Sequence, residues 1–342
     1  MTREREQRTD AVVYHPSQEF VESTNVYDFM QTYDIDDYED LIERTTSEVE
    51  GEPRSGVTWF WDELVDYLDI EFYEGYDAVR NDAEGPQFTE WYPGGELNAA
   101  HNTVDRHAAP DSERRNKVAC IWEGEPGDVR EVTYHELHRQ SNRVANYLES
   151  RGIETGDTVG LYMPMVPEVL SILYGCFKVG AIAVPIFSGF GVDATATRIG
   201  DAECSVLFTG DGFYRRGSQV TLKESADEAI DQAGHVEHTV VYDRLGLAST
   251  EDVPWNDARD EHWAETVGEA DDDYDTKSLS ADQESMLLYS SGTTGKPKGI
   301  VHTHAGALMQ AAKEVYFGMD LKPSDRFFWV SDIGWMMGPW TL

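Results

Sequence analysis

At 342 residues, 40% hydrophobic and 11% aromatic, the chain exceeds an average domain and carries the apolar content that a folded core requires. Its 65 Asp and Glu against 27 Lys and Arg give a formal net charge of -38, which repels nucleic acid and anionic lipid and excludes both as partners. The carboxylates recur from Glu4 to Asp325 rather than in one tail, and lysines number only eight, so the balance reads as solubility charge suited to concentrated salt, a halophilic surface.

Cys120, Cys176 and Cys204 are odd in number and far apart, which offers neither a disulfide framework nor metal-ligand spacing. The first ten residues, MTREREQRTD, hold no apolar stretch of signal-peptide type, and the longest apolar runs are strand-sized. A soluble cytoplasmic protein without membrane contact is expected, and its oligomeric state is not legible.

Residues 58–72, TWFWDELVDYLDIEF, read as a helix with Trp59, Leu64 and Leu68 inward, within an acidic, aromatic leading segment that caps the main body. After Lys117 the pattern changes. VACIW reads as a strand, followed by a helix with Leu137, Val144 and Leu148 on one face that ends at Gly152. Strand TVGLYM, a helix over 166–177, strand AIAVPIF, a helix over 193–202, strand SVLFT, a helix near 223–233 and strand HTVVYD complete a β-α-β-α order. Strands separated by helical crossovers predict an α/β fold with a mainly parallel sheet flanked by helices. Residues 248–283, rich in Asp and Glu, read as a solvated excursion before strand SMLLY.

That strand opens into YSSGTTGKPKG, residues 289–299, followed by a short strand GIVHT and a helix from His304 to about Phe317. Ser290, Ser291, Gly292, Thr293, Thr294, Gly295, Lys296 and Lys298 put small residues, hydroxyls and two of the eight lysines in one place. Glycines let several N–H groups turn inward, and the hydroxyls and lysines add donors and charge, so the stretch suits the phosphates of a nucleotide. A plain Gly/Ser/Thr connection is the alternative, against which the proline between two lysines argues. The spacing excludes G-x-x-x-x-G-K-[ST], because only two residues separate Gly292 from Gly295 and Pro297 follows Lys296.

The stretch resembles the phosphate-loop signature of the acyl-adenylate-forming superfamily, and EWYPGGELNAAHNTVDRH at 90–107 resembles the N-terminal signature of its acetyl-CoA synthetase branch. IFSGFG at 186–191 and SDIGWMMG at 331–338 resemble that branch's strand-turn and acyl-pocket segments. The resemblance implies the large N-terminal domain of an AMP-forming acyl-CoA synthetase. Such an enzyme takes a small carboxylate, ATP, Mg2+ and coenzyme A through acyl-AMP to a thioester.

On the same resemblance Arg215 contacts the 3′-phosphate of coenzyme A. A second arginine expected three positions later is Ser218 here, with Arg216 as a substitute, and a surface pair answering nearby carboxylates stays open. Trp335 resembles the aromatic gate of the acyl pocket. Met336 and Met337 replace a smaller or polar pair, and either fill space or line a longer acyl pocket. The resemblance also implies a capping segment over 1–110, an AMP-binding domain over 111–342 that is incomplete, and further nucleotide motifs and a catalytic lysine in a small domain beyond Leu342. A catalytically inactive nucleotide-binding product is the alternative from outside enzymes. Gly189, Gly191 and Ala194, with Asp211 beyond, also fit the G-x-G-x-x-A dinucleotide fingerprint of an NAD-dependent dehydrogenase, the rival from another enzyme class. His302 and His304 lack a third ligand, so no metal site is expected.

Overall fold

A seven-stranded sheet organises the chain. In the computed structural model, which describes residues 14–290 and 297–341, the strands are β1 (Thr158–Tyr162), β2 (Ile182–Pro185), β3 (Val206–Gly210), β4 (His238–Tyr242), β5 (Asp260–His262), β6 (Glu284–Ser290) and β7 (Lys298–Thr303). Their order across the sheet is β5-β4-β3-β1-β2-β6-β7. All neighbours are parallel except β6 and β7, which are antiparallel. Register pairs Val159 of β1 with Ala183 on one side and Val206 on the other.

β2 and β3 are buried at every position, the pattern of parallel strands covered on both faces. Crossovers are helical: α1 (Tyr134–Ser150) precedes β1, α2 (Glu168–Val179) joins β1 to β2, α3 (Val192–Asp201) joins β2 to β3, and α4 (Lys223–Ala233) lies between β3 and β4. Thr133 and Glu136 start α1 as a capping box, each side chain bonding the other's backbone N–H. Gly152, with φ +80°, follows its end. A fifth helix, α5 (His304–Lys313), leaves β7 and continues as a wider turn over Glu314–Gly318.

The described residues divide into two compact units, one running up to Tyr67 and including Ala312–Phe327, the other comprising Leu68–Ala311 and the residues from Phe328. In the first, helices Asn25–Thr32, Tyr38–Thr46 and Gly56–Tyr67 bury Phe29, Met30, Leu41 and Trp59. Phe29 is the hub, with ring centroids of Tyr33 at 4.7 Å, Tyr67 at 4.9 Å and Phe317 at 5.3 Å. The second unit holds the sheet.

Three sequence expectations change. The helix read over 58–72 stops at Tyr67, because Asp69 turns the backbone to φ +54°, and Leu68 lies half-buried beyond it. VACIW belongs to Val118–Glu123, which pairs antiparallel with Val129–Thr133 in a ribbon of its own. Its alternating exposure covers one face only, and the connection between the two strands is too short for a helical crossover.

Residues 248–283 are not simply solvated. They supply β5, and Asp260 is buried against the fully buried Lys223, with Nζ to Oδ2 at 2.7 Å. Lys223 also reaches Asp227 at 2.6 Å, and Arg259 reaches Asp260 at 2.7 Å. Burial could be satisfied only because cations answer these carboxylates.

A second buried network joins Lys178, at the end of α2, to Asp105. Asp105 also bonds His138 at 2.8 Å and Thr276 at 2.6 Å, and Lys178 reaches Asn142 at 2.7 Å. Nearby, Asn98 of the 90–107 string donates to the carbonyls of Phe177 at 2.7 Å and Lys277 at 3.0 Å. That string is thus a seam inside the larger unit. Among the described residues no helix is long and apolar enough to cross a membrane.

Candidate active site at the carboxyl end of the sheet

β1 is where the chain reverses direction across the sheet, with β2 on one flank and β3 on the other. Doubly wound sheets collect ligands outside the carboxyl ends of strands at such a reversal. Residues 186–191 follow β2 there, and Ser290 ends the parallel β6 at the same edge.

Residues 332–338 come back to this edge. Ser188 Oγ donates to Asp332 Oδ2 at 2.7 Å, and the Gly334 N–H donates to Asp332 Oδ1 at 2.9 Å. A Cβ on Gly334 would strike the Phe187 backbone, and one on Gly338 would strike the Asp332 carbonyl, so glycine is what lets these segments touch. Burial raises the Asp332 carboxyl above the usual carboxylate range, against the opposing pull of Ser188, the Gly334 N–H and the Arg215 charge.

Aromatic rings wall the same edge. Phe187 lies 5.2 Å from Phe190 and 5.8 Å from Trp335 between ring centroids. Trp335 leaves 53% of its surface open, whereas Met336 and Met337 are half-buried at the start of the short helix Met337–Trp340. Arg198 of α3 lies over Phe190 at 4.2 Å and over Tyr289 at 5.5 Å, and Tyr289 Oη donates to Asp201 at 2.7 Å. A buried cation thus stands beside the strand that leads into the glycine-rich stretch.

The expected site residues divide as follows. Ser290 and Lys298 are exposed register partners at the ends of β6 and β7. Ser291, Gly292, Thr293, Thr294, Gly295 and Lys296 lie outside the described residues. Arg215 ends the strand Gly212–Arg215, exposed, close to Gly189 and with its charge felt at Asp332. Arg216 and Gly217, at φ +54° and +76°, form the two-residue turn of that hairpin. Ser218, where the resemblance expects arginine, is the cross-strand partner of Arg215.

Asp211 is not free to bind a ribose. Its carboxylate accepts the N–H groups of Arg244 at 2.8 Å and Leu247 at 2.9 Å, holding the chain after β4. The dinucleotide fingerprint therefore fails at its acidic residue. His304 is buried at the start of α5 with Nδ1 accepting the Ala99 N–H at 3.2 Å, and burial pushes it down to about 3. It is a neutral structural histidine. Among the described residues no group of three or more His, Cys, Asp or Glu is placed to hold a metal ion. Cys120, Cys176 and Cys204 are free thiols, the last two buried.

The family model described as AMP-binding enzyme matches residues 105–342. This chain belongs to the AMP-binding enzyme family. A second model, acetyl-coenzyme A synthetase N-terminus, matches residues 54–103. The chain is similar to the acetyl-coenzyme A synthetase of Streptomyces coelicolor, 43% identical over 258 residues that cover 75% of this chain and 39% of the relative. The acetyl-coenzyme A synthetase of Methanothrix thermoacetophila is 40% identical over 280 residues, 82% of this chain and 41% of the relative. Among solved structures, acetoacetyl-CoA synthetase from Streptomyces lividans superposes with a TM-score of 0.84 at 27% identity, covering 95% of this chain and 48% of that one. The α/β architecture is thus that of the adenylate-forming AMP-binding enzymes. This member spans 39% and 41% of the two acetyl-coenzyme A synthetases' length.

Sequence reasoning missed Ser188, Asp332 and Arg198. The first two lie inside strings that the sequence singles out, but nothing in either string says that they meet. Arg198 had no signal beyond being a lone cation on a helix.

Proposed function

We propose that this chain carries the nucleotide and acyl portions of an AMP-forming acid-thiol ligase acting on a short-chain carboxylic acid of the acetate or propionate type. A carboxylate oxygen attacks the α-phosphorus of ATP and pyrophosphate leaves. The thiol of coenzyme A then attacks the acyl carbon of acyl-AMP, and AMP leaves. Mg2+ accompanies the ATP.

In this reading Ser290, Ser291, Gly292, Thr293, Thr294, Gly295 and Lys296 grip the departing phosphates, with Lys298 at the loop's far end. Arg215, flanked by Arg216, meets the 3′-phosphate of coenzyme A, and Trp335 with Met336 and Met337 bounds the acyl chain. Residues through 110 form an N-terminal segment of acetyl-CoA synthetase type ahead of the AMP-binding domain. The setting is the cytoplasm of a salt-adapted cell, for which loss of fold at low potassium chloride is the test.

The observation that supports this most is the convergence of Phe187, Trp335, Asp332 and Arg215 on the sheet edge where β6 delivers Ser290. Preorganised donors aimed at charge on the leaving group are worth roughly 2.7 to 4 kcal/mol each. Pyrophosphate exchange by the whole protein, in high salt with a panel of carboxylates, tests the reading. Exchange should require a short carboxylate, and none with any acid would end it. Thr293→Ala with Thr294→Ala should slow exchange far more than thioester formation from preformed acyl-AMP.

A further inference from the structure

We propose that Asp332 is a positioning residue that holds Trp335 at the acyl end of the site, an inference that rests on the ligase reading above. One buried carboxylate gathers two segments: Oδ2 takes the Ser188 hydroxyl from the segment after β2, and Oδ1 takes the Gly334 N–H of its own turn. The Trp335 N–H closes that turn onto the Asp332 carbonyl at 3.0 Å. Gly334 meanwhile lies against the Phe187 backbone too closely for any side chain. Asp332 thus fixes the turn that carries Trp335, and the indole lies 5.8 Å from the Phe187 ring with 53% of the residue's surface exposed.

The residue type matches the task. A carboxylate is acceptor-only and serves both donors at once, whereas an amide would turn an NH2 group toward one of them. Leucine or alanine would answer neither donor. Asp332 acts only through the ring it holds.

Two readouts test this. Acrylamide quenching of Trp335 is isolated as the difference between each protein and its Trp335→Phe counterpart. Asp332→Ala should make that component more quenchable, and Asp332→Asn, which keeps one bond, should lie between Asp332→Ala and the unaltered protein. In the whole protein, Asp332→Ala should raise KM for acetate about tenfold, narrow the discrimination among acetate, propionate and butyrate, and leave KM for ATP nearly unchanged.

Unchanged quenching, or equal effects on both KM values, would overturn the proposal. Should Asp332→Ala fail to fold, Ser188→Ala removes one donor and should move both readouts in the same direction by less. Failure of the ligase reading looks different. The unaltered protein would then exchange no pyrophosphate, while quenching would still decide whether Asp332 positions Trp335.

Discussion

Asp105 and Asp332 are both carboxylates drawn out of water, and they end with opposite proton affinities. At Asp105 burial works upward, but the bonds from His138 and Lys178 and the Lys178 charge outweigh it and hold the group at about 2. At Asp332 the close partners are a hydroxyl and an amide, and burial prevails. Burial alone therefore does not set a carboxyl group's state; the charges and donors it meets there weigh against it. The Asp105 network ties helices together, while the Asp332 turn leaves a ring half open at the ligand edge.

The largest expected effect breaks the first member of that pair. Lys178→Met leaves Asp105 buried without its cation and should cost about 3 to 5 kcal/mol in denaturant titrations at high salt. In the unaltered protein the folded pKa of Asp105 lies below its unfolded value of about 3.9, so its contribution is full above that pH and lost as pH falls through about 2. The variant should lose this acid-range dependence.

Next comes the backbone contact beside Asp332. Gly334→Ala forces a methyl group onto the Phe187 backbone and should cost about 1 to 3 kcal/mol by thermal unfolding.

His304 offers a third case, a buried base whose bonded partner is a neutral amide. Its folded pKa of about 3 lies below an unfolded value of about 6.5, so the unfolded state binds the proton first. Stability should fall by about 1.4 kcal/mol per pH unit as pH drops from about 6.5 toward 3. His304→Asn, which keeps an acceptor for Ala99, should flatten that slope between pH 6.5 and 5 in equilibrium unfolding, the part of the range above most carboxylate titration.

The smallest stability effect sharpens the contrast from outside. Arg215→Ala, at an exposed strand end, should move stability by no more than about 0.5 kcal/mol. Removing its charge from Asp332 should raise that carboxyl further, and calorimetry on the whole protein should find coenzyme A bound more weakly.

Most of the sheet was legible because buried parallel strands write themselves as unbroken apolar runs, as at 182–185 and 206–210. VACIW looked like another such run, and only its partner revealed a separate ribbon, since pairing is not encoded in one strand. The acidic stretch at 248–283 hid β5 because Asp260 reads as solvated until Lys223 is found beside it. Trp335 and Arg215 were visible as residue types in patterned strings. The bond from Ser188 to Asp332 that joins their segments was not, because 144 residues separate the bonded pair.

Local chemistry along the chain was enough to determine the alternation of strands and helices, the acidic surface, and a glycine- and hydroxyl-rich stretch after one strand, because each depends on near neighbours. Tertiary structure alone decided which carboxylates are buried with cations, that Asp211 holds a loop rather than a ribose, and that residues 186–191 and 332–338 share one edge. Those outcomes depend on which distant groups exclude water from one another, and that exclusion exists only once the sheet has brought them together.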